Sequence, residues 1–356
     1  MRKSAWMVPF ALVLFLAACN QQAANQPSYT ENDFDQAWSG VKTDLKTSFN
    51  DLATDPALQA ILQMPSDAQP LALAALNALN PVNALTPEGL VPLSDYNLRR
   101  GGKDYTKNPP ENYTPAPPYD FGVKWQANTH TAELLVNWDA GQPTLEARAS
   151  SGATYELPQS AHAALTVDDN AAGSADFSAT WHACHGGYIT EPDALRFTGE
   201  LGANKKLNWN LSYSLTEGSS DRLHLGLELA TVNTDPEARI TADLTLDGTV
   251  TRGDDCFIES ARFNRGSLTY TTQVGNERVE FRVNVTNVES DQNGHVSRVD
   301  LNGYVRYNGQ TAVTFSGYID DADTSDGCPG EHVTLTFKDG STTLEDWLRA
   351  EGYCGP

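Results

Sequence analysis

From Tyr119 onward, apolar and polar residues alternate with period two. Leu207, Trp209, Leu211, Tyr213 and Leu215 alternate with Asn208, Asn210, Ser212, Ser214 and Thr216. The same pattern recurs through Leu223–Leu229, Ile240–Leu246, Val279–Val285, Val299–Tyr307, Val313–Ile319 and Val333–Phe337. Alternation of this kind predicts antiparallel strands with one face buried and one wet. Gly275-Asn276, Asn293-Gly294, Asn308-Gly309 and Asp339-Gly340 supply turns between them. The pattern predicts roughly 12 to 14 strands between residues 119 and 337.

Residues 30–80 follow a different period. Phe34, Trp38, Val41, Leu45, Phe49 and Leu52 recur at three- and four-residue steps, the stripe of an amphipathic helix. Thr30-Glu31-Asn32-Asp33 opens it as a capping box with Asp in place of Glu. Asp55-Pro56 starts a second short helix carrying Leu58, Ile61 and Leu62. An Ala- and Leu-rich third segment, Pro70–Asn80, is closed by Pro81. Residues 81–118, including NPPENYTPAPP, read as a Pro-rich linker, and Leu344–Ala350 as a short terminal helix. The fold class is therefore mainly β with N-terminal helices (α+β). Its expected form is a large antiparallel β-sandwich or half-barrel, with the helices packed on or into it and the β domain covering 119–356.

The N-terminus reads MRKSAWMVPFALVLFLAACNQQ. Arg2 and Lys3 precede an apolar run, Met7–Ala18, that is shorter than the roughly 20 residues a membrane span needs. The run ends in Leu16-Ala17-Ala18-Cys19. This stretch resembles the lipobox of bacterial lipoproteins. The resemblance implies removal of residues 1–18, acylation of Cys19 as the new first residue, and a polar tether over 19–29. It places the chain in the cell envelope, facing periplasm or exterior, and Asn20 leaves the outer membrane open as its site. Each buried acyl methylene contributes about 0.8 kcal/mol to such an anchor.

The chain holds 24 basic and 46 acidic residues. Removing 1–18 takes away Arg2 and Lys3, leaving 22 against 46, a net of −24. A field of that sign disfavours nucleic acid and anionic membrane surfaces as partners. Of the five cysteines, Cys19 is assigned to the lipid; Cys184, Cys256, Cys328 and Cys354 remain in an oxidising compartment. Two disulfides are expected. Three pairings are possible, and Cys184–Cys256 with Cys328–Cys354 is preferred. The second would close a loop of about 25 residues, worth roughly 3.5 kcal/mol in the chain-entropy model.

WHACHGG, residues 181–187, sets His182 and His185 around Cys184. An oxidised Cys184 is neither nucleophile nor metal ligand. The two histidines would face opposite sides of a strand. A calcium loop is a further candidate. In ESDQNGHVSRVD, Glu289, Asp291 and Asn293 fill positions one, three and five, Gly294 position six and Asp300 position twelve. This resembles an EF-hand loop, with Glu for Asp at one and Asp for Glu at twelve. Its flanks read as strands, so a hairpin turning at Asn293-Gly294 is the competing reading. A second acidic run, DDADTSDG at 320–327, fits the template less well.

No G-x-S-x-G, H-E-x-x-H, P-loop or dinucleotide fingerprint occurs, and no catalytic residue is assigned. The inward-facing residues are Leu, Val, Phe, Tyr and Trp. A sheet of a dozen strands encloses more interior than small side chains fill. The leading expectation is thus a lipoprotein that binds an apolar ligand or lipid inside its sheet. The alternatives are a structural or interaction lipoprotein with a solid β core and, behind it, an extracytoplasmic hydrolase.

Overall fold

The computed structural model describes residues 26–65, 100–138, 145–148, 154–184, 189–218, 220–253, 258–290, 296–320, 328 and 330–353. The helices are α1 (Glu31–Leu52), α2 (Pro56–Leu62) and α3 (Leu344–Ala350). The chain then forms β1 (Gly101–Asp104), β2 (Glu111–Asn112), β3 (Phe121–Ala127), β4 (His130–Asn137), β5 (Leu145–Arg148) and β6 (Thr154–Leu157). Next come β7 (Ser160–Val167), β8 (Asn170–Ala183), β9 (Ile189–Leu201), β10 (Lys206–Thr216), β11 (Asp221–Val232) and β12 (Ala238–Arg252). The series ends with β13 (Ile258–Val274), β14 (Glu277–Ser290), β15 (Val296–Tyr307), β16 (Gln310–Asp320), β17 (Val333–Thr336) and β18 (Ser341–Thr343).

Sixteen of these strands form one sheet, and β5 and β6 pair separately as a hairpin. From β7 to β18 each strand pairs with its sequence neighbour, so the sheet is a long antiparallel meander; among the described residues only β1 and β3 pair in parallel. A meander is the topology that tight turns produce when every strand presents the same face inward. Of the two expected architectures, the sandwich gives way to a single continuous sheet. β3 to β17 make fifteen strands where twelve to fourteen were expected. Alternation reports which face is buried, not how many sheets share the core.

Residues 101–112, expected to be linker, contribute β1 and β2. Their signal is close backbone approach instead of alternation. A Cβ on Gly102 would lie 1.8 Å from the carbonyl oxygen of Gly122, and one on Gly122 would meet the Tyr113 ring at 2.8 Å. The segment 70–80, expected to be helical, lies outside the described residues.

The sheet has two unlike rims. At the turn rim lie the short connections 128–129, 168–169, 202–205, 233–237, 275–276 and 308–309. Asn308 (φ 49°) and Gly309 (φ 82°) adopt the left-handed conformations a two-residue hairpin requires. At the opposite, loop rim lie the strand ends Ala183, Ile189, Thr216, Asp221, Arg252, Ile258, Ser290, Val296 and Asp320.

The capping box forms: Asp33 N donates to Thr30 Oγ1 and Thr30 N to an Asp33 carboxylate oxygen. α1 then crosses the inner face. Phe34 packs on Phe337 and Trp347, Trp38 meets Phe281 edge-on at 5.5 Å, and Ser48 bonds Thr231. Its 22 residues span about 33 Å. Six steps from β16 to β10 span about 29 Å at ordinary strand spacing, so one helix bridges the later half of the meander. Two cores result. One joins α1 and α3 to β12–β17; the other joins α2 to β3, β4 and β7–β11. Among the described residues, no helix is long and apolar enough to cross a membrane.

Candidate functional site

Between the two cores, in the middle of β9–β11, the inward face changes character. Phe197, Leu201, Trp209, Leu211, Leu225, Leu227 and Leu229 point inward by register with the buried Leu195, Tyr213, Leu215 and Leu223. Yet all seven are only half buried. Gly199 makes room for the indole of Trp209, since a Cβ there would lie 2.4 Å from the ring. Phe197 meets the same ring at 5.6 Å. The Trp209 Nε1 donor is buried and has no hydrogen-bond partner among the described residues, an arrangement that costs roughly 1–3 kcal/mol when nothing satisfies it.

The α1–α2 corner closes this strip toward the turn rim. Asp55, 2 % exposed, is the N-cap of α2. Its Oδ1 accepts from Ala57 N at 2.9 Å and Ala203 N at 3.0 Å; its Oδ2 accepts from Asn204 N at 2.9 Å and Lys205 N at 3.0 Å. Successive N–H groups of the β9–β10 turn thus converge on one carboxylate. Beside it, Asp51 pairs with Lys205, and the hydroxyls of Ser48, Thr231 and Thr234 form a buried network.

Toward the loop rim the strip ends at the far part of β12–β13. Val250, Ile258 and Phe263 pack on the second core. Asp221 pins this part by accepting from Gly218 N at 2.9 Å and Val250 N at 2.5 Å. Arg252 reinforces it, with Nε donating to Glu217 at 2.7 Å and an Nη–carboxylate approach of 4.0 Å to Asp193. His182 Nδ1 lies 2.9 Å from Asp193 Oδ1.

Among the described residues, His182, Asp193 and Glu217 bring ligand-type atoms within 4.8 Å of one another. The Arg252 guanidinium already occupies this cluster as its cation, which leaves the arrangement an ion-pair network. Asp193 and Glu217 were not singled out from sequence, because only strand register brings β9 and the β10 end to β8. His185 lies outside the described residues.

The other sequence candidates divide in the same way. Glu289 and Asp300 stand on β14 and β15, so strands flank this hairpin on both sides. Asp300 accepts from Asn287 Nδ2 at 3.1 Å and Arg298 Nε at 2.8 Å, and Glu289 accepts from Asn287 Nδ2 at 3.3 Å. An amide and a guanidinium therefore hold the two carboxylates. Asp291 and Asn293 lie outside the described residues, as do Cys19, Cys256 and Cys354. Cys184 directly follows β8, and Cys328 is buried with its sulfur 3.9 Å from the Glu345 carbonyl oxygen of α3.

Several carboxylates that tie elements together are held below the ordinary range. Burial pushes Asp55 up, but the four backbone donors outweigh it and lower it. Bonds from Val250 and Gly218 lower Asp221, and the Lys205 ammonium lowers Asp51. A depressed folded pKa contributes stability that is complete above the unfolded value, about 3.9 for Asp, and is lost as pH falls through the folded one. Stability should therefore hold from neutral pH to about pH 4 and decline below it. Urea midpoints taken at successive pH values check this; a midpoint that rises below pH 4 would contradict the assignment.

Compared with known proteins, the chain matches no family model, no curated protein and no solved structure.

Proposed function

We propose that the chain is an envelope lipoprotein, anchored through Cys19, that holds an amphiphile with an apolar body against the central strip of β9–β11. The observation that carries this reading is the half-burial of seven adjoining inward apolar groups between two closed cores. A contiguous apolar surface on the inner face of a sheet is a place that water leaves favourably, at about 25 cal/mol per Å² covered. The partnerless Trp209 N–H adds a polar requirement. An acyl chain carrying an ester or carboxyl oxygen satisfies both.

The same reading retains the two disulfides. Arg252, the last residue of β12 before Cys256 in sequence, comes within reach of Asp193 on β9, the strand that pairs with the end of β8 before Cys184. Tyr353 N donates to Leu348 O at 2.9 Å, which keeps the chain on α3 as far as residue 353, and Cys328 packs on the same helix at Glu345.

Titration with a fluorescent polyunsaturated fatty acid tests the reading. Saturable binding is expected, weakened at least about tenfold by Leu227→Glu, since a buried unpaired charge costs more than the 1.4 kcal/mol this represents. Leu227→Ala serves as the milder variant, and circular dichroism verifies that both are folded. Absence of saturable binding by the wild type would refute the carrier reading.

A further inference from the structure

We propose that the turn rim is the face the protein presents to the bilayer, and that the loop rim points away from the membrane. This inference rests on the reading of Cys19 as the anchor and concerns how the anchored body stands.

The first described residues are tied to one corner of the sheet. Ser28 N donates to Thr311 O at 2.8 Å and Lys338 N to Tyr29 O at 2.9 Å, so residues 28–29 run between β16 and the β17–β18 turn. The Tyr29 ring meets Tyr307 edge-on at 5.8 Å, and Glu31 N donates to Asp339 Oδ1 at 3.2 Å. Thr311, Tyr307 and Asp339 all belong to the turn rim, beside Asn308-Gly309. The chain thus emerges from this rim at a fixed point.

Covalent geometry limits the reach of the tether. Nine residue steps separate Cys19 from Ser28, at most about 30 Å when fully extended. As a flexible polar chain, the same length averages roughly 17 Å. β11, twelve residues long, puts the loop rim about 40 Å from the turn rim. The tether is therefore shorter than the body, and its root is on the near rim. Charge acts in the same direction. Of the turns nearest the root, Gly275-Asn276 and Asn308-Gly309 carry no charge and the β17–β18 turn carries one of each sign, Lys338 and Asp339. β16 ends at the far rim with Asp320, and three more aspartates follow it in sequence between 321 and 327; anionic headgroups repel such a run.

The test uses the lipidated full chain on vesicles of phosphatidylcholine and phosphatidylglycerol containing a headgroup-labelled quencher lipid. A fluorophore is coupled to azidophenylalanine at Asn276, on the turn rim, or at Thr216, on the loop rim; both sites are exposed. Quenching is expected to be several-fold stronger at 276. A long Gly-Ser insert after Asn25 should reduce the difference. Equal quenching, or stronger quenching at 216, overturns the orientation while leaving the anchor in place. A wild-type chain that carries no acyl mass and does not bind the vesicles overturns the Cys19 reading instead.

Discussion

Asp55→Ala is expected to lower the unfolding free energy by about 3–5 kcal/mol. Loss of an N-cap costs about 1 kcal/mol, and an N–H group left without an acceptor costs up to about 1–3 kcal/mol when buried; the Ala57 bond is buried and the three turn bonds are part-buried. Four donors converge on this carboxylate, from Ala57, Ala203, Asn204 and Lys205. Three of them belong to the β9–β10 turn, so the substitution also releases α2 from the sheet. Asp55→Asn should recover little. An amide offers one acceptor oxygen, and its NH2 would face either the Ala203 pair or the Asn204 pair of donors. Urea denaturation of the three proteins checks this. A loss under 1 kcal/mol for Asp55→Ala would mean that water replaces the carboxylate and that the corner is not held by it.

Trp125→Ala is expected to cost about 3–5 kcal/mol, the range for removing a large aromatic from a packed core. Trp125 on β3 is fully buried, and its Nε1 donates to the Ala60 carbonyl of α2 at 3.0 Å. The indole joins the short helix to the early half of the meander, where α1 does not reach. Trp125→Phe separates the two contributions: it keeps most of the apolar volume and removes the indole donor from the Ala60 carbonyl, which keeps its bond from Gln63 N at 3.2 Å. A cost of about 0.5–1.5 kcal/mol, the net worth of one hydrogen bond, is expected for it. Equal losses for Phe and Ala would assign the whole effect to the hydrogen bond, against the packing account. Thermal unfolding followed by circular dichroism gives both values.

The period of the apolar residues made most of the fold legible. β10 and β11 follow the alternation of Leu207–Leu215 and Leu223–Leu229, and α1 has both its capping box and its stripe where the spacing put them. What escaped was decided by register. Asp55 reads as an N-cap in sequence, yet its second set of donors comes from a turn about 150 residues on. Arg252, Glu217 and Asp193 meet only because four strands in a row align their ends. β1 and β2 rest on glycine packing, which has no periodic signature. The central strip shows the same division. Its β10 and β11 residues read as inward from alternation, whereas Phe197 and Leu201 of β9 did not; yet Trp209 and Leu227 follow the same pattern as the buried Tyr213 and Leu223. Only the placement of the helices distinguishes an inward residue that is covered from one that is half open.

Native mass spectrometry of the full chain, purified from an envelope-containing bacterial host, tests the central claim most directly. Acyl groups joined covalently at Cys19, as proposed, would survive denaturation; a bound amphiphile would not. The carrier account predicts a mass excess that disappears on denaturation, yields an extractable lipid, and is lost in Leu227→Glu. The same native and denatured mass for the wild type would contradict it, and would make the strip a surface for another envelope component.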